Sequence, residues 1–243
     1  MARAFNLHAF CYAHRGLWND DGPPENSLAA FRAAAQMGLG VELDLRPSRD
    51  DVSMIFHDPV LDRMTSRAGP VEDMSADELM HFRLNETQET MPRLSDLLDV
   101  WPSHLPILSE LKVDGQTDPR EFALQVGLQL SMHDGPAAAM SFSEHAVRGL
   151  PEGLMRGQLL PPSSLVEQEW EGILERALSD GIDYLAPHIS DAVGTREIVG
   201  VEGPPLLTWT VKSEEQLALA QQARAAIIFD HIDPALVLSP SLS

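Results

Sequence analysis

Short apolar segments alternate with helical segments along almost the whole chain, and this alternation constrains the fold more than any other feature of the sequence. Eight of the apolar segments have the length of buried strands, and amphipathic patterns fill the gaps between them. Strands that alternate with helices form right-handed βαβ units in a parallel sheet. The predicted strands lie at 10–14, 41–45, 107–111, 137–141, 155–159, 184–187, 206–211 and 226–230.

The number of strands favours one of two architectures. Eight strands suit a closed (β/α)₈ TIM barrel, although a doubly wound open sheet has the same local pattern. The Gly-x-Gly-x-x-Gly turn of a dinucleotide-binding open sheet does not follow the first strand. We therefore predict an α/β fold, a (β/α)₈ TIM barrel, in a single domain over residues 1–243. The predicted helices lie at 27–37, 93–100, 119–130, 143–150, 164–179 and 213–224, with a weaker one at 195–201.

One further apolar segment breaks the alternation. Ser53–His57 has the composition of a strand, yet only residues 46–52 separate it from the strand that ends at Leu45. A parallel crossover needs about a dozen residues or more, so these two strands must be antiparallel if they pair. We expect a hairpin that returns His57 to the barrel rim. The hairpin begins a predicted small insertion after strand two, at about 46–92.

The charge balance narrows the classes of partner. The 243 residues include 17 basic and 37 acidic side chains, a formal net charge of −20. Such a surface repels nucleic acid and anionic membranes, so we expect no nucleic-acid partner and no stable membrane association. The single cysteine, Cys11, cannot form an internal disulfide, and the residues before His14 leave no room for a signal peptide. We therefore expect a cytoplasmic protein, and the pattern leaves its oligomeric state open.

Charged residues interrupt two of the apolar strands in pairs. Glu42 and Asp44 are two residues apart, so both carboxylates project from one face of strand two, and Glu110 and Lys112 repeat the spacing after the next barrel strand. Inward-facing barrel residues point to the axis, and active sites lie at the C-terminal rim. Three carboxylates that converge there repel one another unless a cation lies among them, and oxygen ligands favour Mg²⁺ or Ca²⁺. The alternative is a set of unrelated surface or salt-bridged acids.

Two histidines and two cations are expected at the same rim. His14 ends the first strand and His57 ends the hairpin, and imidazoles that titrate near neutrality can act as acid and base. Arg15 and Lys112 suit a phosphate oxyanion, and Gly16 allows a sharp turn after them. A metal ion, two imidazoles and two cations together indicate displacement at a phosphoryl centre.

A series of short motifs runs in order along nearly the whole chain. The motifs are His14-Arg15-Gly16, Pro24-Glu25-Asn26-Ser27, Glu42-Leu43-Asp44, His57-Asp58, Leu61-Asp62-Arg63, Met91-Pro92-Arg93-Leu94, Glu110-Leu111-Lys112, Ser141-Phe142 and Trp209-Thr210-Val211. Any one of them alone is weak evidence, but their ordered combination is highly specific. In this combination the sequence resembles a glycerophosphodiester phosphodiesterase.

The resemblance implies a fold, an activity and a set of site residues. It implies a TIM barrel with a small insertion after strand two, and metal-dependent hydrolysis of a small-molecule glycerophosphodiester to an alcohol and glycerol 3-phosphate. It also implies that Glu25 or Asn26 lies close to the site. The matched residues are Glu42, Asp44 and Glu110 as ligands of a divalent metal ion, His14 and His57 as the acid/base pair, and Arg15, Lys112 and Trp209 as substrate contacts.

The sequence departs from the family pattern near the end of the last strand. Residues 225–230 lack the usual glycines and have Phe229 where threonine is usual, and the loop after Gly16 carries the bulky Trp18. Neither departure removes a proposed ligand or acid/base residue. We therefore expect activity, with the head-group preference left open.

Two alternative functions remain at this point. A phospholipase of the same barrel type needs a surface that docks on a membrane, and a net charge of −20 disfavours one. A non-catalytic barrel that only binds phosphorylated ligands should lack at least one metal ligand or histidine, and all five residues are present. The identity of the metal, the division of roles between the histidines and the nature of the attacking oxygen are not readable from the residues.

Overall fold

Eight parallel strands close into a barrel in the computed structural model, which describes residues 5–113, 115–166 and 169–238. The strands are β1 (Tyr12–His14), β2 (Gly40–Pro47), β3 (Ser53–Ile55), β4 (Ile107–Leu111), β5 (Ala137–Ser141), β6 (Met155–Leu160), β7 (Tyr184–Pro187), β8 (Leu206–Val211) and β9 (Ala225–Phe229). Around the barrel the order is β1–β2–β4–β5–β6–β7–β8–β9, and β9 pairs in parallel with β1, which closes the sheet. The predicted (β/α)₈ barrel is confirmed, and the open sheet is ruled out.

The helices differ from prediction at four places: α6 and α7 start at other residues than expected, and the short helices α2 and α9 were not predicted. They are α1 (Leu28–Gln36), α2 (Ala76–Leu79), α3 (Leu94–Leu98), α4 (Pro119–Ser131), α5 (Glu144–Gly149), α6 (Trp170–Ser179), α7 (Ala192–Val199), α8 (Glu214–Gln222) and α9 (Pro234–Leu238). The helix expected from residue 164 begins at Trp170, and Ser163–Leu165 form a separate 3₁₀ turn before it. Residues 167 and 168 of that prediction lie outside the described residues. The helix expected at 195–201 begins earlier, at Ala192, and ends before Gly200, whose φ is +72°.

Serine caps begin several of the helices that follow barrel strands. The hydroxyls of Ser27, Ser143 and Ser213 each accept a hydrogen bond from the backbone N–H three residues later. This bond satisfies one of the donors that the first helical turn leaves without a partner. No helix in the described ranges is long and apolar enough to cross a membrane.

The barrel interior is apolar at its base and charged at its C-terminal rim. The buried rings of Tyr12 and Tyr184 fill the base, with Leu108 and Ile228 beside them. Small residues make room for the rings: a Cβ on Gly40 would lie 2.7 Å from the Tyr12 ring. Because side chains alternate along a strand, the next inward positions toward the rim carry the charged residues of the site.

The segment after β2 forms the predicted hairpin. Leu45, Arg46 and Pro47 of β2 pair antiparallel with Ile55, Met54 and Ser53 of β3, as the short connection requires. Beyond β3, an apolar cluster separate from the barrel core includes Phe56, Leu61 and Leu79. The helix α2 within this segment begins with a capping box between Ser75 and Glu78. The extension of one domain over all of residues 1–243 stays a prediction, since the chain ends lie outside the described residues.

Candidate active site

Three buried carboxylates converge at the C-terminal rim of the barrel. Glu42 and Asp44 lie on β2 and Glu110 on β4, and the strand register puts Asp44 directly beside Glu110. The three residues are 2%, 1% and 8% exposed, so water solvates none of the carboxylates fully. One ligand oxygen from each lies within 4.8 Å of the other two. Three oxygen donors at this separation can share one hard divalent cation.

Two cations lie against the same carboxylates. The Lys112 ammonium is 2.7 Å from Glu110 Oε1 and 3.2 Å from Asp44 Oδ1. The Arg15 guanidinium Nε is 3.1 Å from Asp44 Oδ2, and its terminal nitrogen is 3.0 Å from Glu25 Oε1. These contacts reduce the repulsion among the acids and place both predicted phosphate-binding cations beside the carboxylate cluster.

The buried acids have opposite pKa shifts. Burial raises the pKa of Glu110 to about 7, although Lys112 opposes the shift. Burial also raises the pKa of Glu42 well above its ordinary value, and the neighbouring Asp44 and Glu110 raise it further. Burial acts in the same direction on Asp44, but Lys112 and Arg15 together outweigh it and lower its pKa. The cluster as described thus favours a proton or another cation on Glu42 and Glu110 at neutral pH.

His14 is held between the carboxylate cluster and the end of β9. Its Nδ1 is 2.7 Å from Asp230 Oδ2, and its Nε2 is 4.0 Å from Glu42 Oε2. The Nδ1–Asp230 bond favours the tautomer with the proton on Nδ1, which leaves Nε2 able to accept a proton on the side of Glu42. Burial lowers the pKa of His14, against the opposing hydrogen bond to Asp230. His14 is therefore neutral and oriented toward the cluster.

His57 follows β3 and is held in a similar way. Its Nδ1 is 2.7 Å from Asp58 Oδ1, and its carbonyl oxygen accepts a 2.7 Å bond from Arg46 Nε. The other oxygen of Asp58 accepts a 2.6 Å bond from Arg63 Nε. Burial lowers the pKa of His57, while the nearby Asp44 opposes that shift. The hairpin thus returns His57 to the electrostatic neighbourhood of the carboxylates.

The loop that carries Arg15 has an unusual backbone. Arg15 and Asn26 have φ angles of 58° and 55°, a left-handed conformation that is uncommon for residues other than glycine. Asn26 donates from its backbone N–H to the Arg15 carbonyl at 2.8 Å and from its side-chain amide to Asp44 Oδ2 at 2.9 Å. Gly16 has φ +84°, and a Cβ there would lie 2.8 Å from the Ala30 Cβ. Such a conformation persists only where its surroundings hold it, and it is typical of functional sites.

Trp209 lies at the rim but outside the ion-pair network. Its indole N–H donates to the Ala186 carbonyl at 2.9 Å, and its ring packs edge-on against Phe142 and His188 at 5.5 and 5.0 Å. Trp209 is half-buried and Phe142 is 41% exposed, so these rings form an apolar surface that is open to solvent. Of the eight predicted site residues, Trp209 is the one that lies in this aromatic cluster rather than among the charges.

Sequence reasoning missed two members of the site. Asp230, the partner of His14, was noticed only as the end of an altered motif, and Lys212, 3.1 Å from Asp230 Oδ1, was not noticed at all. The available signal was position, because each follows the last paired residue of a barrel strand. Arg63 binds Asp58 at 2.6 Å and Glu25 at 2.7 Å, and so connects the partner of His57 to the partner of Arg15.

Ion pairs, together with the hydrogen bond from the Arg15 backbone N–H to Glu42 Oε2, link these charges into one network among the described residues. Six carboxylates and four side-chain cations take part, so these groups carry a net charge of −2 when all six carboxylates are ionised and both histidines are neutral. The unbalanced charge equals that of one divalent cation. The carboxylates are Glu25, Glu42, Asp44, Asp58, Glu110 and Asp230, and the cations are Arg15, Arg63, Lys112 and Lys212.

Known proteins are similar to this chain in sequence and in fold. Over 123 residues the chain is 43% identical to glycerophosphodiester phosphodiesterase 1 of Mus musculus. This match covers 46% of this chain and 36% of the mouse protein. Over 68 residues the chain is 38% identical to a glycerophosphodiester phosphodiesterase of Caldanaerobacter subterraneus, and this match covers 28% of this chain. The chain thus matches about a quarter of the length of that bacterial relative and about a third of that of the mouse protein.

Solved structures match over much more of the chain. A phosphodiesterase of Oleispira antarctica, in complex with the product sn-glycerol-3-phosphate, has a TM-score of 0.77 at 27% identity and covers 91% of this chain and 93% of its own. A glycerophosphodiester phosphodiesterase of Thermotoga maritima has a TM-score of 0.74 at 22% identity, covering 94% of this chain and 97% of its own. The family model for glycerophosphoryl diester phosphodiesterases matches residues 14–146, which hold both histidines and all three carboxylates of the cluster. The sequence resemblance is thus confirmed, and the chain belongs to the glycerophosphoryl diester phosphodiesterase family.

Proposed function

We propose that this protein hydrolyses glycerophosphodiesters to an alcohol and glycerol 3-phosphate with the help of a divalent metal ion. The observation that carries the proposal is the convergence of Glu42, Asp44 and Glu110 within 4.8 Å at the barrel rim, with His14 oriented toward them. Family membership supports the same reaction. A structural relative in complex with sn-glycerol-3-phosphate indicates the product class.

The residues present fit a hard divalent ion. All three donors are buried carboxylates, and one oxygen of each lies within 4.8 Å of the other two. Oxygen donors favour Mg²⁺ or Ca²⁺ over a softer metal, and a divalent ion would offset the net negative charge of the network. We propose Glu42, Asp44 and Glu110 as the ligands. When bound, such an ion polarises a phosphoryl oxygen and makes the phosphorus more susceptible to attack.

The two histidines would move the protons. One imidazole accepts the proton of the attacking oxygen, and the other donates a proton to the leaving alkoxide. His14 presents Nε2 to the carboxylate cluster because Asp230 binds its Nδ1, and Asp58 binds the corresponding nitrogen of His57. Each imidazole therefore has one nitrogen held by an acid and one free for proton transfer. Burial lowers the pKa of both histidines, which suits the imidazole that acts as base, while the imidazole that acts as acid must first carry a proton on its free nitrogen.

Cations and an apolar surface would hold the substrate. Arg15 and Lys112 lie against the carboxylates and would neutralise the charge that develops on the phosphoryl oxygens. Trp209 and Phe142 present rings to solvent at the same rim, and the carbon face of a glycerol unit suits such a surface. We propose Trp209 as the substrate contact on that side.

A single assay with a chelator control tests the proposal. Purified protein is incubated with glycerophosphocholine and Mg²⁺ or Ca²⁺, with and without EDTA, and the released glycerol 3-phosphate is measured enzymatically. We expect ion-dependent release that EDTA abolishes and that added ion restores. Binding of glycerophosphocholine without release would contradict hydrolysis and favour a non-catalytic barrel. Cleavage of phosphatidylinositol or sphingomyelin vesicles, but not of glycerophosphocholine, would favour a phospholipase instead.

A further inference from the structure

We propose that Lys212 is a positioning residue of the reaction, which acts on His14 through Asp230. The inference rests on the proposed function, because it assigns His14 to proton transfer. Its structural part, the coupling of Lys212 to Asp230, is independent of any activity. Lys212 lies outside the segment matched by the family model.

The strand register lines up three residues at the rim. Val211 of β8 pairs with Phe229 of β9, and Phe229 pairs with Ala13 of β1. Lys212 follows Val211, Asp230 follows Phe229, and His14 follows Ala13. These side chains therefore form a row across three neighbouring strands. The row continues on β2, where Glu42 pairs with His14.

Contacts along the row are short and use both oxygens of one acid. Asp230 Oδ2 is 2.7 Å from His14 Nδ1, and Asp230 Oδ1 is 3.1 Å from Lys212 Nζ. The Asp230 side chain is 4% exposed, so it depends on these two partners for its orientation and charge. The backbone N–H of Lys212 donates to Gln216 Oε1 at 2.7 Å, which fixes the start of the lysine side chain. Lys212 is half-exposed and is not needed to fill the core.

The composition of the chain singles out the lysine. The sequence has fifteen arginines but only two lysines, Lys112 and Lys212. Both lysines follow the end of a barrel strand and both pair with buried carboxylates of the site. Both lysines of the chain therefore take part in the charged network of the site.

The consequence of the contact is a fixed imidazole. An ionised Asp230 accepts a hydrogen bond from Nδ1–H of His14, which orients Nε2 toward Glu42. Lys212 binds the other oxygen, so Asp230 stays charged and cannot rotate away from the histidine. Without the ammonium, one oxygen of a buried carboxylate lacks its cation, and the carboxylate and imidazole become less well ordered. Outer partners of this kind typically change activity by about 10–100-fold.

Kinetics of Lys212 variants test the role. We expect Lys212→Met to lower kcat about tenfold with little change in KM, and Lys212→Arg to recover most of the loss. Arg148→Met is the matched control, since Arg148 pairs with the α5 residue Glu144 and with Asp180, outside the site network, and should leave kcat unchanged. A raised KM at unchanged kcat would overturn the proposal, because Lys212 would then contact the substrate directly. Equal losses in the Met and Arg variants would also overturn it.

A double-mutant cycle tests the path through the aspartate. In an Asp230→Asn background, Lys212→Met should cause little further loss of kcat, because the residue through which it acts is already changed. Additive losses would overturn the proposal. Thermal unfolding of each variant, followed by circular dichroism, separates these effects from a loss of fold.

A spectroscopic measurement tests the contact without any turnover. With lysine labelled by ¹³C at Cε, the two lysines give two signals, and Lys212→Met identifies one of them. We expect Asp230→Asn to shift the Lys212 signal much more than the Lys112 signal. An unshifted Lys212 signal would show that Lys212 does not contact Asp230 and would overturn the proposal. If the shift occurs but the wild-type protein releases no glycerol 3-phosphate, the proposed function fails while the coupling holds.

Discussion

The two histidines of the site share one arrangement of neighbours. His14 is bound by Asp230, which Lys212 binds in turn, and His57 is bound by Asp58, which Arg63 binds. In each case a carboxylate holds Nδ1 and a cation holds the carboxylate. A neutral imidazole held in this way has a defined tautomer and a free Nε2, which is the state that a general base needs, and the imidazole that acts as acid needs a proton on that nitrogen.

Removing either imidazole should therefore reduce turnover strongly. We expect His14→Ala and His57→Ala each to lower kcat by ~10²–10⁴-fold, the usual contribution of a general acid or base. Steady-state kinetics on glycerophosphocholine at saturating Mg²⁺ measures the effect. His104→Ala, at an exposed position in the loop before β4, is the control and should retain full activity. Near-normal turnover in His57→Ala would contradict its role and that of the hairpin.

Removing a carboxylate charge should abolish metal-dependent turnover without unfolding the barrel. Burial already raises the pKa of Glu110 to about 7, so the neutral amide in Glu110→Gln resembles a form that the fold accepts. Glu42→Gln should behave in the same way. Calorimetric titration with Mg²⁺ or Ca²⁺ should show lost binding, while circular dichroism stays unchanged. Glu144→Gln, which changes an acid outside the cluster, should bind the ion normally, and normal turnover in Glu110→Gln would contradict the metal assignment.

At the scale of elements, the insertion after β3 is tied to the barrel by charged residues. Arg63 binds Asp58 within the insertion and Glu25 in the loop before α1. Glu89 accepts a hydrogen bond from the backbone N–H of Ala29 in the first turn of α1, an orphan donor of that helix. The apolar cluster of the insertion is separate from the barrel core, so these polar contacts determine how the insertion holds His57.

Loss of the bridging arginine should therefore affect catalysis more than stability. We expect Arg63→Met to lower kcat about 10–100-fold, because Asp58 and Glu25 lose a shared partner and His57 is less well held. Hydrogen exchange of the insertion should become faster, while exchange in the barrel strands stays unchanged. Arg67→Met is the matched control, since Arg67 lies over the Phe82 ring in the same insertion. Equal kinetics for the Arg63 and Arg67 variants would contradict the bridging role.

At the scale of the whole molecule, the barrel concentrates its unfavourable charges at one end. The base of the barrel is filled by apolar and aromatic side chains, and the rim buries acids that are not fully balanced. For Glu110 and Glu42, folding raises the pKa, so these groups favour the folded state at low pH and oppose it as pH rises through the raised values. A divalent ion that binds the ionised carboxylates competes with those protons.

Stabilisation by the ion should therefore increase with pH. The ordinary pKa of Glu110 is 4.5 and its pKa in the fold is about 7, so the stability of the metal-free protein falls across that interval. At pH 8 fewer protons compete, and we expect excess Mg²⁺ or Ca²⁺ to raise Tm more at pH 8 than at pH 6. Differential scanning fluorimetry with and without EDTA measures the difference. The pH dependence of this rise in Tm should disappear in Glu110→Gln. An equal rise in Tm at both pH values would contradict the competition between protons and the ion.

Much of the architecture was readable from local patterns. All eight barrel strands were predicted to within a few residues, because buried parallel strands appear as short apolar runs between helices. The antiparallel pairing of β3 followed from the length of its connection alone. The predicted start of α6 was wrong, because the pattern was extended back to residue 164, in a segment that forms a separate 3₁₀ turn at Ser163–Leu165.

The site was readable only where its residues are close in sequence. The alternation of side chains along β2 was enough to put Glu42 and Asp44 on one face. Whether Glu110 lies beside Asp44 depends on the register between β2 and β4, which the residues alone did not specify. The aspartate that holds His14 was missed because it is 216 positions away in the chain. Its contact exists only when β9 closes against β1.

By itself the sequence determined the barrel strands and most of the helices, the eight-stranded α/β class and the kinds of chemical group at the rim, since period, composition and turn residues act locally. Only the tertiary structure decided which groups meet: the pairing of Lys212, Asp230 and His14, and the bridge from Arg63 to Glu25. The physical reason is that closing a barrel sets distances between strands that are far apart in the chain, and buried charges find partners only across those distances.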